Sequence, residues 1–356
     1  MGSPYSSLPS RNFWKTGVAE QHPLTISGLY KKKFPIGPET AIATAGSCFA
    51  QHIGGHLRKN GFHVLDAEPA PPGLDAETAK SYGYGLFSAR YANIYCVRQL
   101  LQIAKEAFGE FTPADAVWER DGRFFDAMRP SVEPNGLASA EHVKRHRESH
   151  LRFVRQLFES ADVLIFTFGL TEAWVHAASG TVYPTAPETI AGSFDPKRHE
   201  FKNFTFNEII ADFLEFRSLL QRHKPEIKFL LTVSPVPLTA TATDEHVLQA
   251  TTYSKSVLRA VAGELYKNCS DIDYFPSYEM VVSPFSRGFF FESNLRSVNA
   301  GGVAAVMRVF FAEHRPEARP ARAARRASAQ AVAGKDRNRN EEEAACEDEL
   351  LEAFAK

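Results

Sequence analysis

Along the chain, short runs that are apolar almost throughout alternate with longer stretches in which apolar residues recur every three or four positions. The run from Ala41 to Gly46, then Phe62–Leu65, Asp162–Phe168, Lys228–Val233 and Ile272–Phe275 have the length and composition of strands, the longest of them suited to cover on both faces. The periodic stretches predict helices over about Phe49–Asn60, closed by Gly61, over Tyr91–Phe108, from a Ser139 cap to Ser160, over Phe206–His223 ahead of Pro225, over Glu245–Tyr266 and over Ala300–Phe311. Strands separated by helices give an α/β fold: three layers, doubly wound, around a mainly parallel sheet. Two small antiparallel features interrupt it, a hairpin over 117–128 turning on Asp121-Gly122 and a β excursion over Val175–Tyr183 around Gly180. Glu68–Arg90 is a Pro/Gly-rich loop long enough to suggest a function, with Gly83 and Gly85 as its flexible points.

Composition adds limits. At 356 residues, 44% hydrophobic and 23% charged, the chain can build one large α/β domain or two small ones. We expect an extended arm packed on the domain (1–38), the α/β domain (39–312), a disordered Ala/Arg/Pro linker (313–340) and an acidic end (341–356). That end is either a short amphipathic helix docking on this protein or a protein partner, or a solvated tail. Forty-one basic against forty-two acidic residues leave a net charge of -1, which gives no electrostatic reason to expect nucleic acid or an anionic membrane and leaves small or neutral ligands open. Cys48, Cys96, Cys269 and Cys346 have no CxxC spacing, so neither a zinc site nor a disulfide framework is expected, and a reducing compartment fits. No early run has the length of a signal peptide and no later one that of a membrane span; the expected location is cytoplasmic.

Doubly wound sheets bind ligands beyond the carboxyl ends of their strands. That rule selects Gly46-Ser47-Cys48, the Gly83/Gly85 loop, Gly169–Glu172 and Ser234–His246. Cys48 falls in the first turn of a helix, where unpaired N–H groups and the dipole favour an anion. The plainer reading of Gly-Ser-Cys is a tight turn in which Ser47 caps the helix and Cys48 packs as a small hydrophobe. No Gly-x-Gly-x-x-Gly or P-loop lysine marks a nucleotide site.

The segments AGSCFAQHI, TFGLTEAW, LLTVSPVPL, ATTYSKSVLRAVA and DYFPSYEM together resemble the bacterial GSCFA-domain family, over about residues 10–312. That family is distantly related to the SGNH (GDSL-type) hydrolases. The resemblance implies a flavodoxin-like fold and ester hydrolysis or acyl transfer on a saccharide or glycan precursor, with no cofactor beyond an acyl-CoA donor if the chain is a transferase. The SGNH nucleophile block falls on Gly46-Ser47-Cys48-Phe49 and puts Cys48, rather than Ser47, in the nucleophile's place. Gly85 resembles the second-block glycine that helps bind the oxyanion, and Thr171 stands where the oxyanion-hole asparagine belongs. Asn93 is suited to offer its amide to substrate or to solvent.

The last block, Asp-x-x-His, falls on Asn294-Leu295-Arg296-Ser297, where no histidine stands. The base then comes from elsewhere, or the chain is a catalytically degenerate glycan- or acyl-binding or scaffold protein in polysaccharide biosynthesis. Of twelve histidines, His246 is the replacement expected as base, oriented by Asp244 or Glu172, with a surface or backbone-bonded histidine as the plain alternative. Arg296 suits a substrate or coenzyme A anion, or else a surface ion pair with Glu172 as a possible partner. His52 and His56 are expected to face away from the bend. Trp174, Tyr183 and Phe289–Phe291 are either a sugar platform or core.

Overall fold

The computed structural model describes residues 3–314 and 347–355. The linker expected at 313–340 and the start of the acidic end therefore lie almost wholly outside the described residues. Glu313 and His314, at its first positions, are respectively helical and buried.

The elements in chain order are β1 (Ile42–Gly46), α1 (Cys48–Lys59), α2 (Ala76–Ser81), α3 (Val97–Ala107), β2 (Val117–Arg120), β3 (Arg123–Asp126), α4 (Ala140–Ser160) and β4 (Val163–Phe168). They continue with β5 (Glu172–His176), β6 (Val182–Tyr183), β7 (His199–Asn203), α5 (Phe206–His223), β8 (Lys228–Val233), α6 (Val247–Asn268), β9 (Ile272–Tyr274), α7 (Ser277–Val282) and α8 (Ala300–Glu313). The central sheet has the order β1-β4-β8-β9 and is parallel throughout. Outside β1, the run 62–65 contributes one parallel bridge, Ile42 to Val64, in place of the full second strand its composition suggests. A hairpin (β2-β3) and a three-stranded antiparallel sheet (β6-β5-β7) complete the β structure.

Alternation along the strands divides the core in two. Ala43, Ala45, Leu164, Phe166, Phe168, Phe229, Leu231 and Val233 pack with α3 to α6 on one face, while Ile42, Val163, Ile165 and Leu230 pack with α1, α7 and α8 on the other. The result is the doubly wound, three-layer α/β fold read from the sequence. Tyr30, Phe34 and Ile36 of the arm join the second core, and the Tyr30 hydroxyl donates to Asp273 Oδ2 at 2.9 Å. Earlier in the arm Tyr5, Phe13 and Trp14 are exposed. Among the described residues no helix is long and apolar enough to cross a membrane.

Three departures from the sequence reading shape the site. The helix expected from Tyr91 starts at Val97, because the backbone of 94 and 95 is used in bonds to the ends of β1 and β4. Within the long loop, Asp75 accepts from Thr78 N–H at 2.9 Å and caps the short α2. The β excursion gains a third strand, β7, from HEFKN, whose charged residues hide its strand pattern.

Candidate active site

β1 ends on Gly46, at φ +136°, where a Cβ would lie 2.5 Å from the Thr167 carbonyl oxygen; only glycine fits. The chain turns at once into α1, with Ser47 at the N-cap and Cys48 as the first helical residue. A serine at this position ordinarily accepts from an N–H of the first turn. Here the side chain makes no capping bond, and its Oγ is buried with no hydrogen-bond partner among the described residues, so Ser47 holds the N-cap position without capping the helix with its side chain. Cys48 is buried and in no disulfide.

Gly169, just past β4, forms the facing wall. A Cβ there would lie 3.0 Å from Ser47 Cβ and 2.9 Å from the Tyr95 carbonyl oxygen, and the Gly169 and Leu170 N–H groups donate to that oxygen at 3.0 and 2.9 Å. Thr167 and Thr171 are fully buried, and their Oγ1 atoms, like Ser47 Oγ, have no hydrogen-bond partner among the described residues. The Thr171 N–H donates to Ser254 Oγ of α6 at 3.1 Å. Lys255, the next residue, is 2% exposed and donates from Nζ to the Gly169 carbonyl at 2.7 Å.

Segment 88–95 supplies the third side. Ile94 N–H donates to the Gly46 carbonyl at 2.9 Å and so brings Asn93 to the turn. Asn93 is buried; its Oδ1 accepts from Gln51 Nε2 at 3.2 Å and its carbonyl from Gln99 Nε2 at 3.0 Å. Ala92 makes the bend possible by adopting φ +59°, a conformation no alanine advertises. Gly85 is not part of this side. It is exposed, and its carbonyl accepts from Nη1 of Arg58, whose backbone lies about 15 Å along α1 from Cys48.

His246 is an exposed N-cap of α6 whose Nδ1 accepts from Leu248 N–H at 3.1 Å, so the structure gives this ring a capping role at the surface rather than a place in the turn. Asp244 is exposed as well, and Glu172 Oε1 accepts from Thr241 Oγ1 at 2.9 Å. Burial raises the Glu172 carboxyl above its ordinary range, opposed by the hydrogen bonds from Thr241 and the Ala242 backbone. Arg296 is 7% exposed, so it is not a surface residue; Asn294 Oδ1 organises its loop by accepting from the Arg296 and Ser297 N–H groups, both at 2.9 Å. His52 is half-buried beside Phe49, with ring centroids 6.0 Å apart.

A cavity of ≈ 260 Å³ opens next to the turn, lined by Tyr95, Leu170, Glu172, Trp174, Tyr183 and Phe201 among others. Leu351, from the 3-10 helix Glu347–Phe354 of the acidic end, also lines it. Ser47 and Cys48 do not line the cavity, whereas Leu170 and Tyr95, bonded to each other beside Gly169, do. Phe290 is core, whereas Phe289 is exposed, so the Phe289–Phe291 run is not a shared platform with Trp174.

Lys255 and the Gln51 and Gln99 clamp on Asn93 were not foreseen in the sequence. The lysine stands inside ATTYSKSVLRAVA, one of the segments behind the family resemblance, but nothing in its residue type announces full burial.

A sequence model of the GSCFA family matches residues 41–310. A search of curated proteins gave no match. Among solved structures, the chain is similar to a mutant of Axe2, an acetyl-xylooligosaccharide esterase from Geobacillus Stearmophilus, at 12% identity and TM-score 0.30 over 80% of this chain and 100% of that one. It is also similar to a carbohydrate esterase family 2 enzyme with a carbohydrate binding domain from Corynascus thermopiles (Myceliophthora fergusii), at 14% identity and TM-score 0.28 over 81% of this chain and 70% of that one. A third likeness, to the acetyl xylan esterase Est2A of the rumen bacterium Butyrivibrio proteoclasticus, has 12% identity and TM-score 0.23 over 68% of this chain and 56% of that one. Likenesses this remote assign no activity to the chain.

Proposed function

The chain belongs to the GSCFA family, and from that premise we propose that it hydrolyses or transfers an acyl group held in ester linkage on a saccharide or glycan precursor, with Cys48 as nucleophile. The observation that carries this reading is the junction of three chain segments at one turn. Cys48 opens α1, Gly169 packs on Ser47, and Asn93 is delivered by the Ile94–Gly46 bond.

In the proposed reaction Cys48 Sγ attacks the acyl carbonyl carbon, forming a C–S bond and an oxyanion. Collapse breaks the ester C–O bond, and the departing saccharide oxygen takes the proton released by the thiol. Water, or a second hydroxyl in transfer, then attacks the thioester and restores the thiol. The Thr171 hydroxyl, buried with no hydrogen-bond partner among the described residues, is the donor we assign to the oxyanion, at the turn where α1 begins and Asn93 is held by Gln51.

The lack of Asp-x-x-His favours cysteine over serine. A hydroxyl without a base is weakly activated, whereas a thiol at a helix N-terminus can react as thiolate. The cavity favours a saccharide over a phosphate-bearing donor, because aromatic rings and one carboxylate line it and no lysine or arginine does, among the described residues.

The test is labelling by an electrophilic acyl probe in wild type, Cys48→Ala and Ser47→Ala, alongside release of acetate from acetylated saccharides. Labelling and release are expected to be lost in Cys48→Ala and kept in Ser47→Ala. Saccharide binding with no labelling in any of the three would instead make the chain a binding protein on a hydrolase scaffold.

A further inference from the structure

Beside the turn, the mechanism above leaves a buried titratable group unused. Lys255 is 2% exposed, a rarity for lysine, and donates from Nζ to the Gly169 carbonyl at 2.7 Å. Ser254, fully buried beside it, accepts the Thr171 N–H at 3.1 Å, so two successive residues of α6 grip the turn that follows β4. That turn is the surface against which Ser47 packs, with 3.0 Å between the Gly169 Cβ position and Ser47 Cβ. Chaining these lengths with the size of one peptide unit places the ammonium within roughly 9 Å of Ser47 Cβ. The intervening space is packed protein, where a charge acts over a distance at which water would mute it.

We propose that Lys255 is a positioning residue of the acyl reaction. Its ammonium seats the Gly169–Thr171 turn against Ser47 and sets a positive charge behind the place where the Cys48 thiolate and the oxyanion form. This rests on the reading of Cys48 as nucleophile. The lysine touches no reacting atom; it acts through the Gly169 peptide and through its field. Removing its charge at this range costs about tenfold in thiolate reactivity at constant pH. Other titratable groups on neighbouring elements include His52, His56, Arg58 and Lys59 on α1, Tyr95 before α3, Glu172 at the start of β5 and Arg259 on α6. They are common to wild type and variants, so a comparison isolates the ammonium.

The full chain is compared as wild type, Lys255→Met and Lys255→Arg, each checked for a cooperative thermal melt. Two quantities are read: the rate of Cys48 carbamidomethylation by iodoacetamide at pH 7, and kcat and KM for ester hydrolysis. Lys255→Met is expected to slow carbamidomethylation and lower kcat by about tenfold with KM nearly unchanged, and Lys255→Arg to recover most of both. A folded Lys255→Met that reacts within twofold of wild type overturns the proposal. Should Lys255→Met not fold, 15N-lysine NMR of wild type decides: the Lys255 resonance is expected to move when Cys48 is carbamidomethylated, and a resonance that stays put overturns the proposal. Alkylation needs no turnover, so the two claims fail separately. A Cys48→Ala chain that remains active sinks the nucleophile reading alone, and unchanged alkylation in Lys255→Met beside an inactive Cys48→Ala sinks the lysine alone.

Discussion

Two buried polar regions of this molecule treat their hydrogen-bonding groups in opposite ways. Under the long loop, Glu68, Arg90, Asp126, Arg129, Arg147 and His150 are all buried and bonded to one another. Arg129 Nε donates to Asp126 Oδ2 at 2.8 Å, Arg147 Nη1 to Asp126 Oδ1 at 3.0 Å, His150 Nδ1 to Glu68 Oε2 at 2.7 Å and the Arg90 N–H to the same Glu68 oxygen at 2.9 Å. The only one of their side-chain atoms that is buried without a hydrogen-bond partner, among the described residues, is His150 Nε2. At the turn, where the Ser47 N–H donates to the Thr167 carbonyl at 3.3 Å, the hydroxyls of Ser47, Thr167 and Thr171 are buried with no hydrogen-bond partner among the described residues. Charges that are satisfied hold a loop against β3 and α4, whereas hydroxyls left unsatisfied weaken the fold and persist where they serve something else. The first region ties the fold together, and the second is where the proposed chemistry is placed.

The largest effect is expected in the first region. Asp126→Ala leaves Arg129 and Arg147 without their shared carboxylate and is expected to lower the unfolding free energy by about 3–5 kcal/mol, read by urea denaturation. A loss below about 1 kcal/mol would show that the network is ornamental.

Acid comes next. Burial, with Arg129 after it, pushes His150 down to about 4 against the pull of Glu68. Burial alone would raise Glu68 and Asp126, yet His150 and Arg129 hold Glu68 at about 2, and Arg147 and Arg129 hold Asp126 at about 2. All three values lie below those of the unfolded chain, so their stabilisation is present above the unfolded values and lost as pH falls. The His150 share, on the order of 3 kcal/mol, disappears between about pH 6.5 and 4, and the carboxylate shares below that. Thermal melts are expected to fall steeply over this window in wild type and less so in His150→Gln. Equal slopes would contradict the assignment. His314, also lowered to about 4 by burial, keeps its own contribution in both proteins.

The smallest effect on stability, and one of opposite sign, is expected at the turn. Thr171→Val removes an unsatisfied buried hydroxyl, so stability should stay level or rise by up to about 1 kcal/mol while turnover falls roughly 10²-fold. Marked destabilisation would mean that Thr171 is structural after all.

The fold was legible because its strands advertise themselves: Asp162–Phe168 and Lys228–Val233 are apolar on both faces, and the helices between them keep a clean period. The Gly46 turn was legible for the same kind of reason, since glycine alone tolerates that backbone. The rest of the site was less so. Gly85 drew attention as a glycine in a loop, yet the left-handed backbone beside the turn is at Ala92, a residue type that does not announce it. His246 looked suitable by its position after a strand end, but a helix N-cap can use an imidazole nitrogen as its acceptor and leave the ring in solvent. Lys255 carries the commonest marks of a surface residue, and only the packing of α6 on the Gly169 turn reveals it.

We propose Cys48 as the residue through which chemistry at this turn runs. Intact-protein and peptide mass spectrometry of the wild-type chain, quenched during turnover of an acyl ester, tests it most directly. The expected result is one acyl group, in hydroxylamine-labile thioester linkage, on the peptide that holds Gly46-Ser47-Cys48, absent from Cys48→Ala. An adduct on Ser47, or none anywhere while ester is consumed, would contradict it.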